Sequence, residues 1–214
     1  TTRSGVATIT IAPANSTGLS LEIGDLDIAS VTGADGTALQ FTDLGDQLDV
    51  GVPVEVGPST IAISYAYQPH ADFDGATTAF TFTWPYFCGN LFPCKSDPAD
   101  GLTFTLALTG APAGLTAVYP PSIPGDAPSY QLAWAVGAYV QDDLGTTTAG
   151  THVSAWHTAA QANNTAIGTA NLRAAFDWLE TTIGPYTFGD DVGSVGIAWG
   201  PGAYGGMEHH PRWH

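Results

Sequence analysis

Short segments in which apolar and polar residues alternate recur along most of this 214-residue chain. Residues 5–11, Gly-Val-Ala-Thr-Ile-Thr-Ile, set the pattern. A period of two sends successive side chains to opposite faces, so one face meets a core and the other meets water. The pattern returns at residues 19–23, 26–31, 38–41, 47–50, 60–67, 79–83, 102–108, 117–119, 130–137 and 151–156. Turn signals separate the segments, as in Gly33-Ala34-Asp35-Gly36. Pro53 lacks a backbone donor, which makes residues 52–56 an edge or boundary segment. Strands at about 8–12 residue spacing, with no helical period among them, predict a β-sandwich.

The period changes near residue 169. Leu172, Ala175, Phe176 and Leu179 fall on one face at helical spacing, Thr169 or Asn171 is placed to cap the start, and Gly184-Pro185 ends the helix. A strand at residues 192–199 and a glycine-rich loop at residues 200–206 follow. The predicted fold is therefore mainly β. Residues 1–157 form a sandwich, and residues 158–214 form the incomplete start of a second, α+β domain. That second piece is too short to bury its own helix and strands, so the helix face and Trp199 are expected to need cover. Either a missing C-terminal remainder or another copy of the chain would supply it.

Composition excludes several functions. The formal net charge is −16, with only four Lys plus Arg, so no basic stripe can be built for nucleic acid or for an anionic membrane surface. No run of 18 apolar residues is present to span a bilayer. The chain opens directly on a strand pattern, as a processed secreted or periplasmic protein does. Cys88 and Cys94, the only cysteines, are six residues apart. With no histidine near in sequence they make a poor zinc site. They are read as a disulfide closing a short loop, which suits an oxidising compartment, against the alternative of two buried thiols.

Three further features carry candidate chemistry. Asp72-Phe73-Asp74-Gly75 has the opening of a calcium loop but not its ligand spacing, and is read as a solvated turn. His152 and His157 lie on one predicted strand and are assigned to a surface or interface. The chain closes on Gly205-Gly206-Met207-Glu208-His209-His210-Pro211-Arg212-Trp213-His214. His209 and His210 would diverge on a strand, and Pro211 opposes the helix that would bring His210 and His214 together. These three are weak metal candidates, and a polar tail is the competing reading.

Four segments, in order, resemble the N-terminal half of the zinc aminopeptidases related to aminopeptidase N and leukotriene A4 hydrolase. Phe92-Pro93-Cys94-Lys95-Ser96-Asp97-Pro98 is similar to the family's F-P-C-x-D-x-P segment, with one residue more. Residues 127–137, Ala-Pro-Ser-Tyr-Gln-Leu-Ala-Trp-Ala-Val-Gly, resemble its M-S-x-Y-L-x-A-F-x-V-G strand. The helix through Trp178-Leu179-Glu180, with Gly184-Pro185-Tyr186-Thr187-Phe188, resembles the helix leading into F-G-x-x-Y-P. Gly205-Gly206-Met207-Glu208 resembles the G-[AG]-M-E-N exopeptidase motif.

The resemblance implies a saddle-like β-sandwich followed by the start of a thermolysin-like catalytic domain. It also implies a role for the last motif, as a cleft-lining strand that pairs with substrate backbone. Gly205 and Gly206 would admit that backbone closely, and Glu208 would bind the free α-amine of a peptide. Three departures matter. His209 replaces the family's asparagine. The second amine anchor would fall near Trp84. No H-E-x-x-H occurs in the chain, and in the family it lies about thirty residues beyond the M-E motif. Zinc would then belong to the parent metallopeptidase, its ligands outside this chain, and the chain alone would be inactive. The rival expectation is a non-enzymatic binding or scaffold module with a vestigial motif.

Overall fold

The computed structural model describes residues 3–12, 17–52, 57–71, 74–82, 86–123, 125–198, 206 and 208. The chain forms two compact units: Thr1–Thr78, Phe82–Gly101 and Pro128–Tyr130 make the first, and Ala79–Thr81, Leu102–Ala127 and Gln131–His214 the second.

The first unit contains β1 (Arg3–Ile11), β2 (Gly18–Glu22), β3 (Asp27–Gly33), β4 (Phe41–Asp43), β5 (Gln47–Gly51) and β6 (Ser59–Tyr67). Two three-stranded antiparallel sheets result, in the orders β1-β6-β3 and β2-β5-β4. The alternation in sequence becomes alternation in burial. Leu48 and Val50 point inward from β5, and Ile61, Ile63 and Tyr65 from β6. Leu21, Ile23 and Val31 join them in one core drawn from both sheets. A sandwich of this kind is held mainly by such burial, at about 1.5–3 kcal/mol for each large side chain removed from water.

One expected strand moves. Instead of residues 38–41, only Ala38 bridges Thr32, and the ladder begins at Phe41. Leu39 N–H still donates to Val31, whereas the Gln40 carbonyl already accepts from Gly51 on the other sheet. The chain is changing sheets here and belongs to neither ladder. Residues 53–56 lie outside the described residues.

Two short strands, β7 (Gly75–Ala76) and β8 (Thr81–Phe82), follow. The second unit then has β9 (Thr116–Val118), β10 (Ala135–Gly137), β11 (Tyr139–Thr146), β12 (His152–Thr158) and β13 (Asp191–Val195), with helices α1 (Ala162–Gly168) and α2 (Leu172–Thr182). β11 and β13 flank β12, antiparallel and parallel respectively, and both helices lie in the β12–β13 connection. A parallel pair needs such a crossover.

Residues 102–108 do not form the expected strand. They alternate in burial as predicted, yet they make only isolated bridges, Leu102 to Ala127 and Thr105 to Ser122. The facing segment carries Pro120 and Pro121, and proline has no N–H to donate. Residues 130–137 are also interrupted. A 3-10 turn occupies Ser129–Gln131, where the Ser129 hydroxyl donates to the Lys95 carbonyl at 2.5 Å, and only Ala135–Gly137 enters a ladder. β11 and α1 are additional elements that the sequence reading did not contain.

Candidate functional site

The predicted substrate-reading segment follows β13. That strand continues the sheet one residue further, with Gly196 N–H donating to the Trp156 carbonyl at 2.8 Å. Beyond it, Gly206 and Glu208 are both exposed, and open space surrounds the position a Cβ would take on Gly206. Gly205, Met207, His209, His210 and His214 lie outside the described residues, as do Trp84 and Trp199.

The crossover helices buttress this sheet in an unexpected way. Asn171 precedes α2 but makes no side-chain cap bond, and the Thr169 hydroxyl donates backward to the Thr165 carbonyl. Neither residue caps α2 as expected. The buried residue of α2 is Glu180, at 8% exposure, rather than the apolar stripe. One carboxylate oxygen of Glu180 accepts from the Thr151 hydroxyl and, at 3.4 Å, from Tyr186 N–H. Hydrogen bonds from the Thr147 and Thr151 side chains hold its pKa below the usual glutamate value. Its second oxygen, Oε2, is buried without a partner among the described residues, as is Trp156 Nε1. Beside it, Asp177 accepts from Thr148 N–H at 2.8 Å and pairs with Arg173 at 3.2 Å. The polar edge of α2 thus packs on the β11–β12 turn. Leu179, Ile183 and Trp178 stay 39%, 78% and 61% exposed.

The described histidines do not fit a catalytic zinc site. Zinc needs an imidazole lone pair. His70 faces Asp74 at Nδ1 (2.8 Å) and Asp25 at Nε2 (3.2 Å). His152 faces Asp191 (3.2 Å) and Asp143 (3.0 Å), tying β11 and β13 to β12. His157 faces the Thr158 carbonyl (2.9 Å) and Asp142 (3.0 Å). Every ring nitrogen already has an oxygen partner. His157 is also buried, which corrects its assignment to a surface or interface: its Nε2 meets Asp142 of β11, a strand not expected from the sequence. Of the candidate calcium turn, Asp74 serves His70, and Asp72 lies outside the described residues.

Cys88 and Cys94 are joined by a disulfide, and both are buried. Their loop is pressed against the end of β2. Glu22 and Cys94 exchange both backbone hydrogen bonds, at 2.8 and 3.0 Å. The Glu22 carboxylate accepts from the Ser96 amide and hydroxyl at 3.0 and 2.9 Å. A carboxylate oxygen of Glu22 and the two sulfurs lie within 4.8 Å of one another, the one such metal-capable group among the described residues. Sequence reasoning missed Glu22 because it is distant in the chain. The strand that carries it was predicted, but its pairing with the loop was not.

No sequence-family profile matches the chain, and no curated protein matches it. Solved structures do. A crystal structure of a mutant M1 zinc metallopeptidase from Deinococcus radiodurans aligns with a TM-score of 0.73 at 16% identity, over 91% of this chain and 52% of that one. The mutant bound to a Tyr-Ser-Ala substrate aligns at 0.70 and 15%, with the same coverage. A two-domain M1 zinc metallopeptidase mutant bound to L-tryptophan aligns at 0.72 and 16%. The chain shares their fold and spans about half their length.

Proposed function

We propose that this chain is part of a secreted, zinc-dependent metallo-aminopeptidase, a hydrolase that removes N-terminal residues from peptides. The supporting observation is a coincidence of two independent likenesses. The M1 fold runs over 91% of the chain, and four sequence segments resemble the family in its own order. A similar structure holds a Tyr-Ser-Ala peptide, which supports a peptide substrate.

In this reading residues 1–157 are the sandwich domain and residues 158–214 open the catalytic domain. Glu208 binds the substrate ammonium, with charge-assisted hydrogen bonds that a blocked N-terminus would lose. Gly205 and Gly206 let the substrate backbone lie close, and Met207 completes the motif. The zinc and its ligands belong to residues not in this chain, so no step of bond cleavage is assigned to any group here. The remainder of the enzyme, or a second copy, covers Leu179 and Ile183.

The test has two parts. An H-E-x-x-H about thirty residues beyond Glu208 in the gene is expected. In the complete protein, Glu208→Gln should lower kcat/KM on aminoacyl amides by about 10²-fold, since it removes a charge pair worth roughly 1.5–3 kcal/mol. N-acetylated substrates should be poor for both forms. A gene that ends without that motif would favour the scaffold reading.

A further inference from the structure

We propose that reducing the Cys88–Cys94 bond turns this corner of the first unit into a binding site for a thiophilic divalent cation such as zinc. Its ligands are Cys88, Cys94 and Glu22.

Three observations carry the proposal. First, the three donor atoms are already within 4.8 Å of one another, from two segments far apart in sequence. Secondly, the backbone that places them does not depend on the sulfur–sulfur bond. Leu91 and Phe92 N–H groups donate to the Cys88 carbonyl, Cys94 pairs with Glu22, and the Asn90 side chain donates to the Asp74 carbonyl. The loop also touches the end of β2 and the residues just after it, backbone to backbone: a Cβ on Gly89 would sit 3.2 Å from Glu22 C, 3.2 Å from Ile23 N and 3.0 Å from Gly24 N. The thiols therefore stay together after reduction. Thirdly, both cysteines are essentially buried, at 0% and 3% exposure, so two free thiols have no water to bond.

The chemistry balances. A dithiol reductant breaks the sulfur–sulfur bond, leaves two thiols and closes to its own disulfide. The cation then displaces one proton from each thiol and binds two thiolates. At Zn–S distances of about 2.3 Å, tetrahedral geometry needs the sulfurs about 3.7 Å apart. Side-chain rotation at Cα atoms 6.2 Å apart accommodates that. Glu22, half-buried beside the pair, is the third ligand, oriented by Ser96. The oxidised pair offers no thiolate and binds nothing. The site is thus a metal trap that opens only under reducing conditions.

The test uses the whole 214-residue chain. Chelator-stripped protein, reduced with a phosphine, is titrated anaerobically with cobalt(II), and the thiolate-to-metal charge-transfer absorbance is recorded. One equivalent should produce the band in reduced protein, none in oxidised protein, and added zinc should quench it. Glu22→Gln should weaken binding by at least about tenfold. Cys88→Ser should abolish the band. Cobalt on the terminal histidines would bind in both redox states without a thiolate band. Near-UV circular dichroism monitors the fold. Loss of the fold on reduction, no band in folded reduced protein, or unchanged affinity in Glu22→Gln would each overturn the proposal.

Discussion

Glu180 is a carboxylate where a helix of this pattern would usually bury an aliphatic side chain. Its partners, Thr147, Thr151 and the Tyr186 amide, all stabilise the charged form, and its pKa is depressed below the ordinary 4.5. A depressed carboxylate stabilises the fold above its unfolded-state pKa, and that contribution is lost as pH falls through the lower, folded value. Glu180→Gln should therefore lower Tm at pH 7, and the gap to wild type should close as the pH is taken from 5 to 3. Thermal melts across that range decide it; a gap independent of pH would mean that packing, not charge, sets the effect. Gly24 offers a second test. Its φ is +48°, and a Cβ there would meet Asn90 Oδ1 at 1.9 Å and the Gly89 backbone at 3.0 Å. Gly24→Ala should cost more than about 1 kcal/mol, a Tm drop of at least roughly 2–4 °C for a chain of this size. Neither residue could be singled out from the sequence. Their roles depend on segments far away in the chain, which local periodicity does not encode.

Among the elements, β6 has the clearest role. It is the central strand of its sheet, and Ile61, Ile63 and Tyr65 point from it into the core. Ile63 is fully buried, so Ile63→Ala should leave a cavity and cost about 2–5 kcal/mol, seen as a Tm lower by roughly 5–15 °C. This strand was legible at once because alternation and strand propensity agreed over residues 60–67. Residues 102–108 alternate just as well, yet no ladder forms, because a strand also needs donors on its partner and residues 120 and 121 are both proline. β11 was illegible for the opposite reason. Its Gln141, Asp142 and Asp143 look like a loop, but Asp142 and Asp143 are there to meet His157 and His152 on β12. The disulfide was anticipated from spacing alone, whereas the Glu22 carboxylate beside it required the fold. Of the predicted site, only Gly206 and Glu208 fall among the described residues, and both lie exposed beyond the last strand.

At the scale of the whole molecule, the orientation of α2 is the feature to explain. Helical spacing correctly gave an apolar stripe through Leu172, Ala175, Phe176 and Leu179, but the sheet takes the neighbouring polar edge through Arg173, Asp177 and Glu180 instead. Glu180 is buried while Ile183 stays 78% exposed. In the proposed function that exposed side is covered by the remainder of the enzyme or a second copy. The solved structures of this fold are nearly twice as long, which supplies a candidate for that cover. If the proposal is right, Leu179→Gln with Ile183→Gln should leave the 214-residue chain's stability within about 0.5 kcal/mol, since exposed positions are tolerant. It should also reduce any self-association seen by light scattering. In the complete protein the same pair would lose burial worth about 1.5–3 kcal/mol per side chain, so Tm and soluble yield should both fall. Amide exchange across residues 172–183 should likewise be slower in the complete protein than in this chain. Equal exchange in the two proteins, with the double variant harmless in both, would show that nothing covers this helix.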